Sequence, residues 1–246
     1  MKHRSDPTSP PRVLVFAASD PSGGAGIQAD LLTCAAIGCH PLSVITALTA
    51  QDTVGVASVT AIDAPLVAEQ ARLLLQDIPV SICKIGLLGS IANVEIVAEL
   101  LSDLPDMQVV LDPVLASGRG DVLADSAMIS AIRRCLLPLT TILTPNTLEA
   151  RLLAPCHASS TTSALRECCQ DLLDLGCEHV LLTGTHNDTP QVVNELYRRG
   201  QGLVFNDHWP RPPGSYHGSG CTLASAVASY LAHAYSVEAA VQAAQK

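Results

Sequence analysis

Charge is scarce in this chain. Only 15% of its 246 residues are Asp, Glu, Lys or Arg, and the 14 basic residues face 23 acidic ones, for a net charge of −9. A sequence-independent grip on nucleic acid needs clustered Lys and Arg to displace counterions along the phosphates, and the pairs Arg133-Arg134 and Arg198-Arg199 are too small to supply it. No Cys-x-x-Cys spacing occurs among nine cysteines, an odd number in a chain too long to need staples, so a disulfide framework is excluded and a reducing, cytoplasmic setting is expected. The eight histidines show no His-Glu-x-x-His or similar ligand spacing, which removes zinc chemistry. No Gly-Lys-Ser/Thr loop and no Gly-x-Ser-x-Gly elbow is present, which removes Walker-type nucleotide binding and serine hydrolase chemistry. Nor does any apolar stretch reach the roughly 18 to 20 residues of a membrane span; residues 42–50 come nearest and are broken by Ser43, Thr46 and Thr49. The apolar run at 13–18 is too short for a signal-peptide core and meets Asp20 and Pro21 at once, so residues 1–12 read as a loose, basic, proline-rich leader.

What is abundant is apolar surface, 48% of residues, enough for one large core. A single domain over 13–246 is expected. Short apolar runs at 13–17, 43–48, 82–85, 109–111, 141–143 and 180–182 lack in/out alternation, as strands covered on both faces do. Segments with helical spacing follow at 26–37, 65–76, 93–101, 126–136, 161–175 and 221–234. Strand and helix in alternation predict an α/β fold, a mostly parallel sheet between two helix layers. Residues 192–197 and 203–205 flank a glycine-containing turn and predict a hairpin, a small antiparallel margin to the sheet. The final stretch, 237–245, keeps helical spacing without a Gly or Pro stop signal.

Ligands of such sheets gather at the carboxyl ends of the parallel strands. There the sequence is unusual. Asp20-Pro-Ser-Gly-Gly-Ala-Gly-Ile-Gln-Ala-Asp30 is a glycine-rich turn into a helix; it serves as a tight turn, or lets a flat ligand approach, with Asp30 available to a substrate hydroxyl. Gln51, in Thr49-Ala-Gln-Asp-Thr53, carries a donor and an acceptor side by side, which suits the edge of an aminopyrimidine; a solvated loop glutamine is the plainer reading. Asp112, followed by Pro113, and Asn146 with Glu149 are hard oxygen ligands of the kind that hold Mg²⁺ beside phosphates, and equally ordinary turn and cap residues. His217-Gly-Ser-Gly-Cys221-Thr222 opens a helix of small residues. Backbone N–H groups exposed there, with the helix dipole, favour an anion at Gly218, Ser219 and Gly220 and a lowered pKa for Cys221, which could then take the proton of an attacking alcohol.

Together with Lys84-Ile-Gly86 and Thr144-Pro-Asn146, these segments closely resemble, in order and over nearly the whole chain, the hydroxymethylpyrimidine/phosphomethylpyrimidine kinases of thiamine biosynthesis. The resemblance implies a ribokinase-like fold, a homodimer, ATP and Mg²⁺. It implies that Gln51, Asp30 and Gly23 hold the pyrimidine, with Leu87 and Val114 lining the ring pocket. Asp112 and Glu149 would organise Mg²⁺. Asn146, Thr183, Gly184 and Arg119 would meet the nucleotide, Gly218 to Gly220 would form the anion hole, and Cys221 would serve as base or hydroxyl-orienting group. Two departures stand out. Thr183-Gly-Thr-His186 replaces a Lys-Gly-Gly-His segment, and Gly118 stands where the family has a lysine, with Arg119 beside it as the compensating charge. Pyridoxal kinase, which also phosphorylates a hydroxymethyl arm on a nitrogen heterocycle, and a binding protein with weakened catalysis are the competing readings.

Overall fold

The computed structural model describes residues 9–116, 123–154, 162–184, 190–211, 213–214 and 216–246. Nine strands form one sheet: β1 (Arg12–Ser19), β2 (His40–Gln51), β3 (Val56–Ala61), β4 (Ile82–Ile85), β5 (Gln108–Leu111), β6 (Ile142–Leu143), β7 (His179–Leu182), β8 (Gln191–Arg198) and β9 (Gly202–Pro210). Their spatial order is β3-β2-β1-β4-β5-β6-β7-β8-β9. The six strands from β2 to β7 run parallel, and they are the six continuous apolar runs of the sequence. Chain order reverses at β1, where β2 lies on one side and β4 on the other, and that switch point opens a crevice for a ligand. Antiparallel strands close both margins. The predicted hairpin β8/β9 is one of them, and β3, which pairs with β2, is the other and was not anticipated.

The helices are α1 (Gly26–Ala36), α2 (Ala64–Asp77), α3 (Ile91–Ser102), α4 (Ser126–Cys135), α5 (Thr147–Leu153), α6 (Thr162–Asp174), α7 (Ser219–Ala232) and α8 (Val237–Ala244). β1 shows how they sandwich the sheet. Leu14 and Phe16 face a core shared with α2, α3, α4, α5 and α6, while Val13, Val15 and Ala17 face a second core shared with α1, α7 and α8.

Four of the eight helix starts are fixed by side chains. Ser90, Asp125 and Ser236 cap α3, α4 and α8 by accepting first-turn N–H groups, and Asn146 and Glu149 form a reciprocal capping box on α5. Two helices that begin at the carboxyl edge of the sheet differ: α1 and α7 have no side-chain cap, which leaves their first-turn N–H groups for something else.

Candidate active site

Beneath the start of α7 lies a buried ion pair. Lys84, on β4 and fully buried, donates to both carboxylate oxygens of Asp30 on α1, at 2.8 and 2.9 Å. Ser225 Oγ on α7 donates to Asp30 Oδ1 at 2.6 Å, and Lys84 Nζ lies 3.9 Å from Asp112 Oδ2 at the end of β5. Burial pulls the Lys84 pKa down, but Asp30 foremost among its neighbours more than reverses this, so the ammonium stays charged. The expectation that Asp30 offers itself to a substrate hydroxyl is corrected here. Its side chain has no exposed surface and both its oxygens are committed, so Asp30 acts on the site through Lys84.

Cys221 sits one turn into α7 and faces the same group of charges. The expected lowering of its pKa is also corrected. Burial is the largest influence and pushes the thiol up; Lys84 offsets it in part, while Asp112 and Asp30 add to it. The helix terminus is outweighed by desolvation and two carboxylates, and Cys221 is a neutral thiol near pH 7. It lies against the Gly26 backbone and the Asp112 carboxylate.

Asp112 carries the least satisfied polar atom at the site. Its Oδ2 is buried without a hydrogen-bond partner among the described residues. Burial raises its pKa, against the pull of Lys84. An orphaned carboxylate oxygen beside a phosphate-type helix start fits a divalent cation, since Mg²⁺ is held by one or two carboxylates with substrate phosphates and water completing its shell. Among the described residues no three His, Cys, Asp or Glu side chains gather to hold a metal by themselves. Asn146 and Glu149 are less free than the sequence suggested. Asn146 Oδ1 accepts from Leu148 and Glu149 N–H at 2.9 and 3.0 Å, and Glu149 Oε2 accepts from Asn146 N at 2.9 Å. Glu149 is pushed up to about 8 by burial and by repulsion from Asp112. A cation bound at Asp112 would relieve that repulsion.

The N-cap of α7 is set by backbone contact. Gly218 has φ +80°, and a Cβ built there would fall 1.8 Å from the carbonyl oxygen of Gly24 in the glycine-rich turn after β1. Both the left-handed backbone and the missing side chain are required. Gly218→Ala is therefore expected to lower kcat about 100-fold, because a misplacement of about 1 Å at the transferring group costs that much; steady-state kinetics beside a thermal melt checks it.

Just past β6 and β7, Asn146 and Thr183 form an isolated parallel bridge, and Thr183 N donates to Pro145 O. Gly184 is hemmed in: its N–H donates to Asn194 Oδ1, its carbonyl accepts from Arg211 Nη2 at 3.1 Å, and an added Cβ would lie 2.4 Å from Val193 O. Arg211 thus brings a guanidinium beside Thr183-Gly184, where the family resemblance expects a lysine, and no motif marks it. Gly118, Arg119, Thr185 and His186 lie outside the described residues.

Leu87 and Val114, both half-buried, line one cavity with Asp112. Gly23, with φ +76°, has open space around it. Gln51 ends β2 with its Nε2 3.3 Å from His217 Nε2, and His217 Nε2 is 2.9 Å from Asp20 Oδ2. Asp20 and His217 were visible in the motifs but had been given no role.

Residues 20–246 match the phosphomethylpyrimidine kinase family. The chain belongs to that family. It is 41% identical over 244 residues to the hydroxymethylpyrimidine/phosphomethylpyrimidine kinase of Streptomyces coelicolor, covering 98% of this chain and 88% of that one. It is 40% identical over 238 residues to the chloroplastic thiamine biosynthetic bifunctional enzyme of Arabidopsis thaliana, and there the match takes 96% of this chain but only 45% of the plant protein. The chain therefore spans less than half the length of that relative. Among solved structures, an ADP complex of Bacillus subtilis pyridoxal kinase superposes with a TM-score of 0.86 at 30% identity, over 96% of this chain and 89% of that one. The three-layer architecture is the ribokinase-like fold of these kinases. Among the described residues no helix is long and apolar enough to cross a membrane.

Proposed function

We propose that this phosphomethylpyrimidine kinase family member transfers the terminal phosphate of ATP to the hydroxymethyl arm of an aminopyrimidine, and then phosphorylates the resulting monophosphate to the diphosphate used for thiamine. The observation that carries the reading is the meeting of an uncapped α7 start, the Cys221 thiol and the unpartnered Asp112 oxygen at the carboxyl ends of β4 and β5.

Phosphoryl transfer asks mainly for positioning and charge stabilisation. The N–H groups of Gly220 and Cys221, having no intrahelical acceptor, receive the transferring phosphoryl oxygens. The Cys221 thiol, neutral and already oriented by Asp112, aligns the attacking hydroxyl rather than removing its proton as a thiolate. Asp112, backed by Lys84, takes that proton or holds Mg²⁺, with Glu149 behind it. Bound there, Mg²⁺ would neutralise charge between the phosphates. Asn146, through its amide nitrogen, and Arg211 beside Thr183-Gly184 serve the nucleotide, with Arg119 as a further cation. The chain works as a homodimer in this reading, and sedimentation of the purified protein checks it.

The direct test incubates the protein with Mg²⁺-ATP and hydroxymethylpyrimidine, its monophosphate or pyridoxal, and resolves products by mass. Conversion of the pyrimidine to mono- and diphosphate is expected. Turnover of pyridoxal alone would assign the chain to pyridoxal phosphorylation, the reading favoured by its likeness to the Bacillus enzyme. Pyrimidine binding without turnover would make it a binding protein.

A further inference from the structure

Asp20 lies just beyond β1, only 2% exposed, and accepts hydrogen bonds from every side. Ser22 N donates to its Oδ1 at 2.8 Å; Ser22 Oγ and Ala25 N donate to its Oδ2 at 2.9 and 2.8 Å. A carboxylate so placed stays ionised and can only accept. His217 Nε2, 2.9 Å from Oδ2, must therefore carry its proton and donate it. Burial raises the Asp20 pKa, but Ser22, Gln51 and His217 around it more than reverse this, and Gln51 can do so only with the N–H end of its amide toward the carboxylate. This accounts for an otherwise awkward contact. Gln51 Nε2 and His217 Nε2 lie 3.3 Å apart although neither can accept from the other, because both converge on one anion.

The two ends of a glutamine amide are told apart by such a network. The reverse orientation would turn the Gln51 oxygen toward the Asp20 carboxylate and leave two acceptors in contact. With Nε2 held inward, Oε1 is the end left over, and it has no partner among the described residues. It lies at the carboxyl end of β2, half-exposed, where a ring ligand would sit.

We propose that Asp20 is a specificity-determining positioning residue: by fixing the Gln51 amide with its oxygen outward, it makes the ring pocket select a heterocycle that bears a hydrogen-bond donor beside its hydroxymethyl arm. The aminopyrimidine has an amine in that position. Pyridoxal has a formyl oxygen there and would meet Gln51 acceptor to acceptor. Shape alone does not separate the two rings, whereas a site that offers one acceptor rejects a ligand lacking the donor.

This inference rests on the proposed kinase activity, so turnover of hydroxymethylpyrimidine by the wild-type protein is measured first. Absence of turnover would remove both. Wild-type kcat/KM is then compared for that substrate and for its analogue with hydrogen in place of the amine, and at least about tenfold preference for the amine is expected. Equal values would overturn the role of Gln51 Oε1 while leaving the kinase activity standing. In Asp20→Asn the anion is gone and His217 Nε2–H favours the Gln51 oxygen turned inward, so the preference for the amine collapses and pyridoxal gains relative to the pyrimidine. Ser22→Ala removes a bond to the same carboxylate without touching Gln51, and its substrate ratio stays that of wild type. A uniform loss on all three compounds in Asp20→Asn would mean that Asp20 only braces the turn. Should that variant fail to fold, the analogue comparison on the wild-type protein decides.

Discussion

Asp112→Asn is expected to lower kcat by roughly 10²- to 10⁴-fold, the range for loss of a group that moves a proton in the transition state, and Cys221→Ala by far less. The difference follows from charge. Asp112 ends β5 with a buried oxygen that nothing in the described structure satisfies, beside Lys84 and against Glu149, so it is the charged group free to act. Asparagine keeps its shape and removes that charge. Cys221 is held in its neutral form by burial, beside Asp112, so its removal costs alignment of the hydroxyl, worth about tenfold for one hydrogen bond of ordinary strength. Steady-state kinetics of both variants, with thermal melts to show that each is folded, provide the check. A loss in Cys221→Ala equal to that in Asp112→Asn would restore the thiol as base.

The second large effect concerns stability. Lys84→Met leaves the Asp30 carboxylate buried without its cation, and breaking one side of such a pair costs about 3 to 5 kcal/mol. For a chain of this size that corresponds to a fall in Tm of roughly 10 °C. Asp30→Leu combined with Lys84→Met removes both charges and is expected to recover most of the loss, since well-packed apolar residues often replace a buried pair without penalty. The rate should not recover with it, because Asp112 has still lost the ammonium 3.9 Å away. Calorimetry on the single and double variants, read against their kcat, separates the two roles of Lys84. Recovery of both quantities would leave the pair a purely structural device.

The central sheet was legible because its six parallel strands are covered on both faces and read as unbroken apolar runs. β3 was not. Val56–Ala61 is an edge strand of small and polar residues, half-exposed along its length, and nothing in its composition separates it from the loop before it. α5 escaped for another reason: at seven residues it is too short to show a period, although Asn146 and Glu149 read as cap residues as well as metal ligands. The positions of Gln51, Asp112 and Cys221 at strand and helix ends could be read directly. Their electrostatics could not, because they depend on residues far apart in the chain. Lys84 and Asp30 reveal no partnership in sequence, and a helix terminus alone gave the wrong sign for Cys221. Arg211 lies on the far side of the β8/β9 hairpin from the strand end it serves, and only folding brings it to Gly184.

Gly218 leaning on the Gly24 carbonyl has a wider consequence. In the proposed reaction, the turn that flanks the acceptor ring and the helix start that meets the donor phosphate are registered to one another by main chain at Gly218 and by the His217–Asp20 bond beside it. In that reading the gap across which the phosphoryl group travels does not depend on Leu87 or Val114, so ring preference can drift through those two residues while the distance of the jump is preserved. A scaffold wired in this way can host kinases for different vitamins without rebuilding its chemistry, as its close superposition on a pyridoxal kinase illustrates.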